Sequence, residues 1–140
     1  MVGYQTYHPE ALPDERDATL KKYYTCMGRW GNHKHIGIFG VDILDPTKFI
    51  CFLVEGVFDA APLHMLGYNC LALLGAGSSP NTSLQQHLMC MPYRFIALCD
   101  GDKAGRGLIH YTKEYIILPN RKDIGDYRLE QIQIIVDLLV

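Results

Sequence analysis

Residues 48–54, KFICFLV, run straight into Glu55-Gly56, and this stretch decides the fold. A run this apolar, with no alternating polar positions, describes a strand buried on both faces, as in a parallel sheet covered by helices. Reading downstream, residues 59–66 predict a short helix closed by Gly67, with Pro62 in its first turn, where a missing N–H costs little. Residues 70–74 predict the next buried strand, followed by a Gly/Ser/Pro loop. Thr82-x-x-Gln85 offers a capping box for a helix running to about Cys90. Residues 94–99 (RFIALC) and 114–118 (EYIIL) predict two further strands, with a helical turn over 104–111 between them. An amphipathic helix over 128–139 closes the chain. Upstream, residues 34–44 (KHIGIFGVDIL) predict a first strand turned at Asp45-Pro46. Strands alternating with helices predict an α/β fold, Rossmann-like, with a mostly parallel central sheet of about four strands flanked by helices on both faces. The organisation expected is an irregular N-terminal segment, 1–35, and one domain over 36–140.

The chain has 140 residues, the length of one ordinary domain. Its formal net charge is −2, which argues against a generic nucleic-acid coat, because such binding is phosphate neutralisation by Lys and Arg. An enzyme that meets nucleic acid through a bound metal is not excluded. The five cysteines, Cys26, Cys51, Cys70, Cys90 and Cys99, form no C-x-x-C pair and suggest a reducing, cytoplasmic setting. No apolar stretch approaches the length of a membrane span, so no membrane association is expected.

Ligands of open α/β sheets gather beyond the carboxyl ends of the strands, and acidic residues fall at three such ends. Glu55-Gly56 ends one strand, Asp100-Gly101-Asp102 ends the next, and Lys122-Asp123 follows the third. Asp100 and Asp102, two residues apart in extended chain, point the same way and can share a cation. Clustered carboxylates repel unless a hard cation neutralises them, and oxygen donors suit Mg²⁺ or Mn²⁺. Glycines such as Gly56 let main chain approach closely. A calcium loop starting at Asp100 is ruled out, because Ala104 and Tyr111 stand where it needs oxygen ligands.

Two blocks, LVEGVFDAAPLHMLGYNCLALLGAGSS (53–79) and ALCDGDKAG (97–105), together with L-P-x-x-K-D (118–123), resemble the Toprim domain of bacterial and phage primases. The likeness spans roughly residues 36–128. It implies that Glu55 acts as general acid/base or metal ligand and that Asp100 and Asp102 hold Mg²⁺ or Mn²⁺. Asp59 and Asp123 would be further acidic members, Asp59 on the catalytic side and Asp123 on the metal side. Lys103 and Lys122 would face phosphate, Lys103 also serving catalysis, with Gly56 and Arg106 beside the nucleotide. The activity implied is Mg²⁺-dependent primase-type nucleotidyl transfer in DNA replication, on nucleoside triphosphates and a single-stranded DNA template. The compact chain suggests a phage or mobile-element protein working in the host cytoplasm. Two departures stand beside the likeness: the helix expected between Asp102 and Leu118 is a stub, and no zinc module or helicase is present. A helicase or zinc-bearing replication subunit is therefore an expected partner. The alternatives are a Toprim-type nuclease and a non-catalytic module that binds nucleic acid or a replication partner.

Plainer readings accompany each motif. Asp100-Gly-Asp102 alone reads as a solvated turn, Asp59 as a helix N-cap, and Lys122-Asp123 as a surface turn. The 75–79 loop lacks the Gly-Lys-Ser/Thr of a Walker motif, so a strand-to-helix turn is favoured over phosphate cradling. Arg29, Trp30, His33 and Lys34 form a basic-aromatic patch, suited to weak contact with single-stranded nucleic acid or equally to a solvated loop.

Overall fold

The computed structural model describes residues 3–12, 16–17, 19, 23–27, 29–30, 33–34, 36–75, 80–101, 105–119 and 122–140. The chain divides into two compact units, Met1–Gly37 and Ile38–Val140.

In the second unit, strands β5 (Gly37–Phe39), β6 (Ile50–Val54), β7 (Asn69–Leu74), β8 (Arg94–Cys99) and β9 (Glu114–Ile117) form one sheet in the order β5-β7-β6-β8-β9. The β6–β7, β6–β8 and β8–β9 pairings are parallel. Helices α1 (Val57–Met65), α2 (Thr82–Met89) and α3 (Leu129–Asp137) complete it. The predicted α/β class with a mostly parallel sheet is what the structure has, with five strands rather than about four.

The pleat assigns the core. On one face Phe52, Val54, Cys70, Ala72, Ile96 and Leu98 pack with Ala60 and Leu63 of α1 and Ile132 and Val136 of α3. The residues alternating with them, among them Leu53, Leu71, Leu73 and Ala97, are equally buried. Buried Leu84 and Leu88 of α2, with Leu108 and Tyr111, supply the cover that this second face needs. Two hydrogen bonds tie α2 to the 3₁₀ segment Gly105–His110 and the residue after it: Asn81 N–H to the Tyr111 hydroxyl, and Gln85 Nε2 to the His110 carbonyl.

Several local expectations are corrected. The strand foreseen over 34–44 survives only as Gly37–Phe39, because Gly40 turns left-handed (φ 98°) and Val41–Ile43 continue as a 3₁₀ turn. The Asp45-Pro46 turn is present, held by Asn69, whose amide bonds the Asp45 N–H and the Asp45 and Lys48 carbonyls. Helix α1 starts two residues early, at Val57, so Pro62 lies in its second turn rather than its first. There it withholds the N–H that the Phe58 carbonyl would otherwise accept. Gly67 closes the helix as expected, with Gly67 N–H on the His64 carbonyl and Tyr68 N–H on that of Leu63. The N-cap of α2 is Asn81, not Thr82; its side chain accepts the Leu84 N–H at 3.0 Å.

The first unit is more ordered than its sequence suggested. β1 (Gly3–Tyr7) pairs antiparallel with β2 (Tyr23–Met27), and β3 (Arg29–Trp30) with β4 (His33–Lys34). Tyr and Thr are frequent in β1 and β2 and no apolar run marks any of the four, which is why pattern reading passed over them. Among the described residues no helix is long and apolar enough to cross a membrane.

Candidate functional site

Glu55 is the residue after β6 and Asp100 the residue after β8, so both sit at the carboxyl ends of neighbouring parallel strands. The β6–β8 register, Leu53 opposite Ala97, carried two residues on sets Glu55 beside Cys99. The Cys99 thiol reports the result: burial pushes it up to about 11, and the charges of Glu55 and Asp100 add to the shift. Both carboxylates are half-buried.

A second acidic group surrounds Gly125. Asp59 is not the N-cap of α1; that position belongs to Gly56, and Asp59 stands three residues later. Its Oδ2 accepts the Gly56 N–H and its Oδ1 the Gly125 N–H, each at 3.1 Å. The side chain is only 9% exposed, and burial raises its pKa to about 6, with Asp123 and Asp126 contributing by repulsion against the two hydrogen bonds. Asp123 caps the 3₁₀ turn Ile124–Asp126, and its N–H meets Asp126 Oδ2 at 3.4 Å. A Cβ on Gly125 would lie 3.3 Å from both Asp59 Oδ1 and Asp123 Oδ1, so these two oxygens converge on one point.

The two groups are joined through main chain. The Gly101 N–H, next to Asp100, donates to the Lys122 carbonyl at 3.2 Å. The ammonium of Lys122 lies 5.0 Å above the Tyr127 ring. The structure thus gathers Glu55, Gly56, Asp59, Asp100, Lys122 and Asp123 at one end of the sheet. Asp102 and Lys103 lie outside the described residues, and Arg106 is described by its main chain alone. In the other unit, the β3–β4 register sets Arg29 opposite Lys34 and Trp30 opposite His33 along the backbone.

Gly56, expected near a nucleotide, donates its N–H to Asp59. Gly125 and Asp126 escaped the sequence reading, although D-x-x-D over 123–126 is a capping-box pattern that signals them. For a hard cation the donor chemistry fits, since every gathered acid offers oxygen. Among the described residues, no three His, Cys, Asp or Glu side chains are already grouped to hold an ion.

No protein-family model and no curated protein matches the chain. A solved structure does: the RNA polymerase domain of Mycobacterium tuberculosis primase DnaG, in complex with a double-stranded DNA oligomer with a 6-nucleotide overhang. The similarity has a TM-score of 0.62 at 21% identity, over 98% of this chain and 48% of that one. The fold is primase-like. The chain spans about half the length of the structure it matches.

Proposed function

We propose that the chain is a Toprim-type domain that performs primase-type nucleotidyl transfer. One observation carries the reading: Glu55 and Asp100 stand at the carboxyl ends of adjacent parallel strands, close enough that both act on Cys99, in a primase-like fold. In this reading a nucleotide 3′-hydroxyl attacks the α-phosphorus of a nucleoside triphosphate. The new P–O bond replaces the bond to the β-phosphate, and pyrophosphate leaves. Glu55 accepts the hydroxyl proton as general base. Glu55, Asp100, Asp102 and Asp123 are the residues that would hold Mg²⁺ or Mn²⁺, which when bound supplies charge stabilisation at the phosphoryl oxygens. Lys103, Arg106 and Lys122 meet the triphosphate, and Arg29, Trp30, His33 and Lys34 offer weak contact to a single-stranded template.

A second reading, a module that binds a replication partner without catalysing, is favoured by the net charge of −2. Incubation with Mg²⁺, labelled single-stranded DNA and ribonucleotides separates the readings. Primer synthesis abolished by Glu55→Gln supports transfer, and strand degradation supports a Toprim nuclease instead. Neither product, even with a helicase or zinc-bearing subunit added, leaves the binding module.

A further inference from the structure

Asp59 stands between the two acidic corners, and each of its oxygens already accepts a backbone N–H. Gly56 directly follows Glu55, and Gly125 lies two residues past Asp123. One carboxylate therefore ties the chain just after the first acid to the chain just after the other. The contact is close on both sides. A Cβ on Gly56 would fall 2.7 Å from Asp59 Oδ2, and one on Gly125 would fall 3.3 Å from Asp59 Oδ1. The Phe58 carbonyl also lies by this turn, 3.7 Å from the same Gly125 position. From Asp123 the path continues through Lys122, whose carbonyl holds the Gly101 N–H beside Asp100.

We propose that Asp59 is a positioning residue, a clasp on the main chain of Gly56 and Gly125 that fixes where Glu55, Asp123 and, through Lys122 and Gly101, Asp100 stand relative to one another. Each oxygen already holds one N–H donor in a buried place, where an unmet donor is costly, so holding main chain is the role its bonds define. This inference deepens the proposed function and rests on it only for metal affinity.

Amide exchange of the full chain, followed by NMR in EDTA, tests the clasp. Asp59→Asn keeps the volume but loses a carboxylate acceptor. Exchange should quicken about 10-fold or more at Gly56, at Gly125 and also at Gly101, while the β6 and β8 amides keep their protection. Unchanged exchange at Gly125 or at Gly101 overturns the proposal. Added Mg²⁺ should leave Gly56 and Gly125 protected in the wild type; their release would mean that the clasp opens when metal binds, and would overturn the proposal too. Magnesium affinity, read from the Glu55 and Asp100 amide shifts, should weaken about 10–100-fold in Asp59→Asn, as when a ligand's support is removed. Equal affinity in both proteins counts against positioning. A wild type with no magnesium response at Glu55 or Asp100 defeats the proposed function, while the exchange in EDTA still decides the clasp. Gly125→Ala, which presses a methyl against Asp59 Oδ1 while leaving the carboxylate in place, carries the same readouts should Asp59→Asn fail to fold.

Discussion

The acids after the strands and the acids around Gly125 occupy the same end of the sheet but live under different constraints. Glu55 and Asp100 are half-buried, and their charge is felt by a buried thiol behind them. Asp59 is almost fully buried, hydrogen-bonded to two main-chain amides and crowded by Asp123 and Asp126. The first pair is brought together by strand register. The second group is placed by, and in turn places, main chain. Under the proposed function, identical side-chain chemistry would divide into reactive and supporting roles.

The division breaks most visibly at Glu55. Glu55→Gln keeps shape but cannot accept a proton, so primer synthesis should fall about 10²–10⁴-fold. Stability should move by less than about 0.5 kcal/mol, as for a substitution outside the core. Primer-extension assays with parallel thermal denaturation check both. Full activity would make Glu55 a supporting acid like Asp59, and the comparison would collapse.

Proton linkage gives the next largest effect. Asp59 has a folded value of about 6, above the ordinary 3.8, so the folded state holds the proton more tightly. Its contribution to stability is therefore fully present below the unfolded value and is lost as pH rises through about 6. The size is on the order of 3 kcal/mol. The groups facing it are Asp123 and Asp126, with the Cys70 thiol behind. Denaturant titrations in EDTA should show wild-type stability declining between pH 4 and 7 relative to Asp59→Asn. Parallel curves would show that Asp59 ionises as easily as an exposed acid.

How much of this was legible depended on distance along the chain. The strands at 50–54, 69–74 and 94–99 announced themselves as apolar runs, and the acids at their ends followed from the ordinary rule for open sheets. The edge strand Gly37–Phe39 was overextended because nothing in IGIFGV marks Gly40 as left-handed. Pro62 was misplaced by one turn because a glycine, Gly56, serves as N-cap where Asp59 looked the better candidate. The bond from Gly125 to Asp59 spans 66 residues, and no local pattern encodes so remote a contact. The 123–126 capping box was readable and was missed for want of flanking helical periodicity.

Gly56→Ala probes the supporting group at smaller scale. The backbone there is extended (φ −117°, ψ 154°), so alanine meets no conformational penalty. Its methyl would lie 2.7 Å from Asp59 Oδ2, so the carboxylate must shift and weaken its bond to the Gly56 N–H. A loss of about 1–2 kcal/mol follows from one strained buried hydrogen bond. Chemical denaturation measures it, and a neutral result would mean that Asp59 relaxes freely and clasps nothing.

The smallest expected effect lies at Lys122, where the two groups touch through main chain. Its carbonyl holds Gly101, a bond that survives any change of side chain, while the ammonium of this exposed lysine rests 5.0 Å above the Tyr127 ring. Removing that ammonium should therefore cost stability only as an exposed cation–π contact does, about 0.5–1 kcal/mol. Lys122→Met keeps most of the stem and isolates the charge. If Lys122 also meets a triphosphate, nucleotide affinity should drop further in Lys122→Met than in Tyr127→Leu, which loses the ring but keeps the cation. Equal nucleotide affinity in both variants, with the same small stability loss, would assign Lys122 to the supporting group and leave phosphate recognition to other cations.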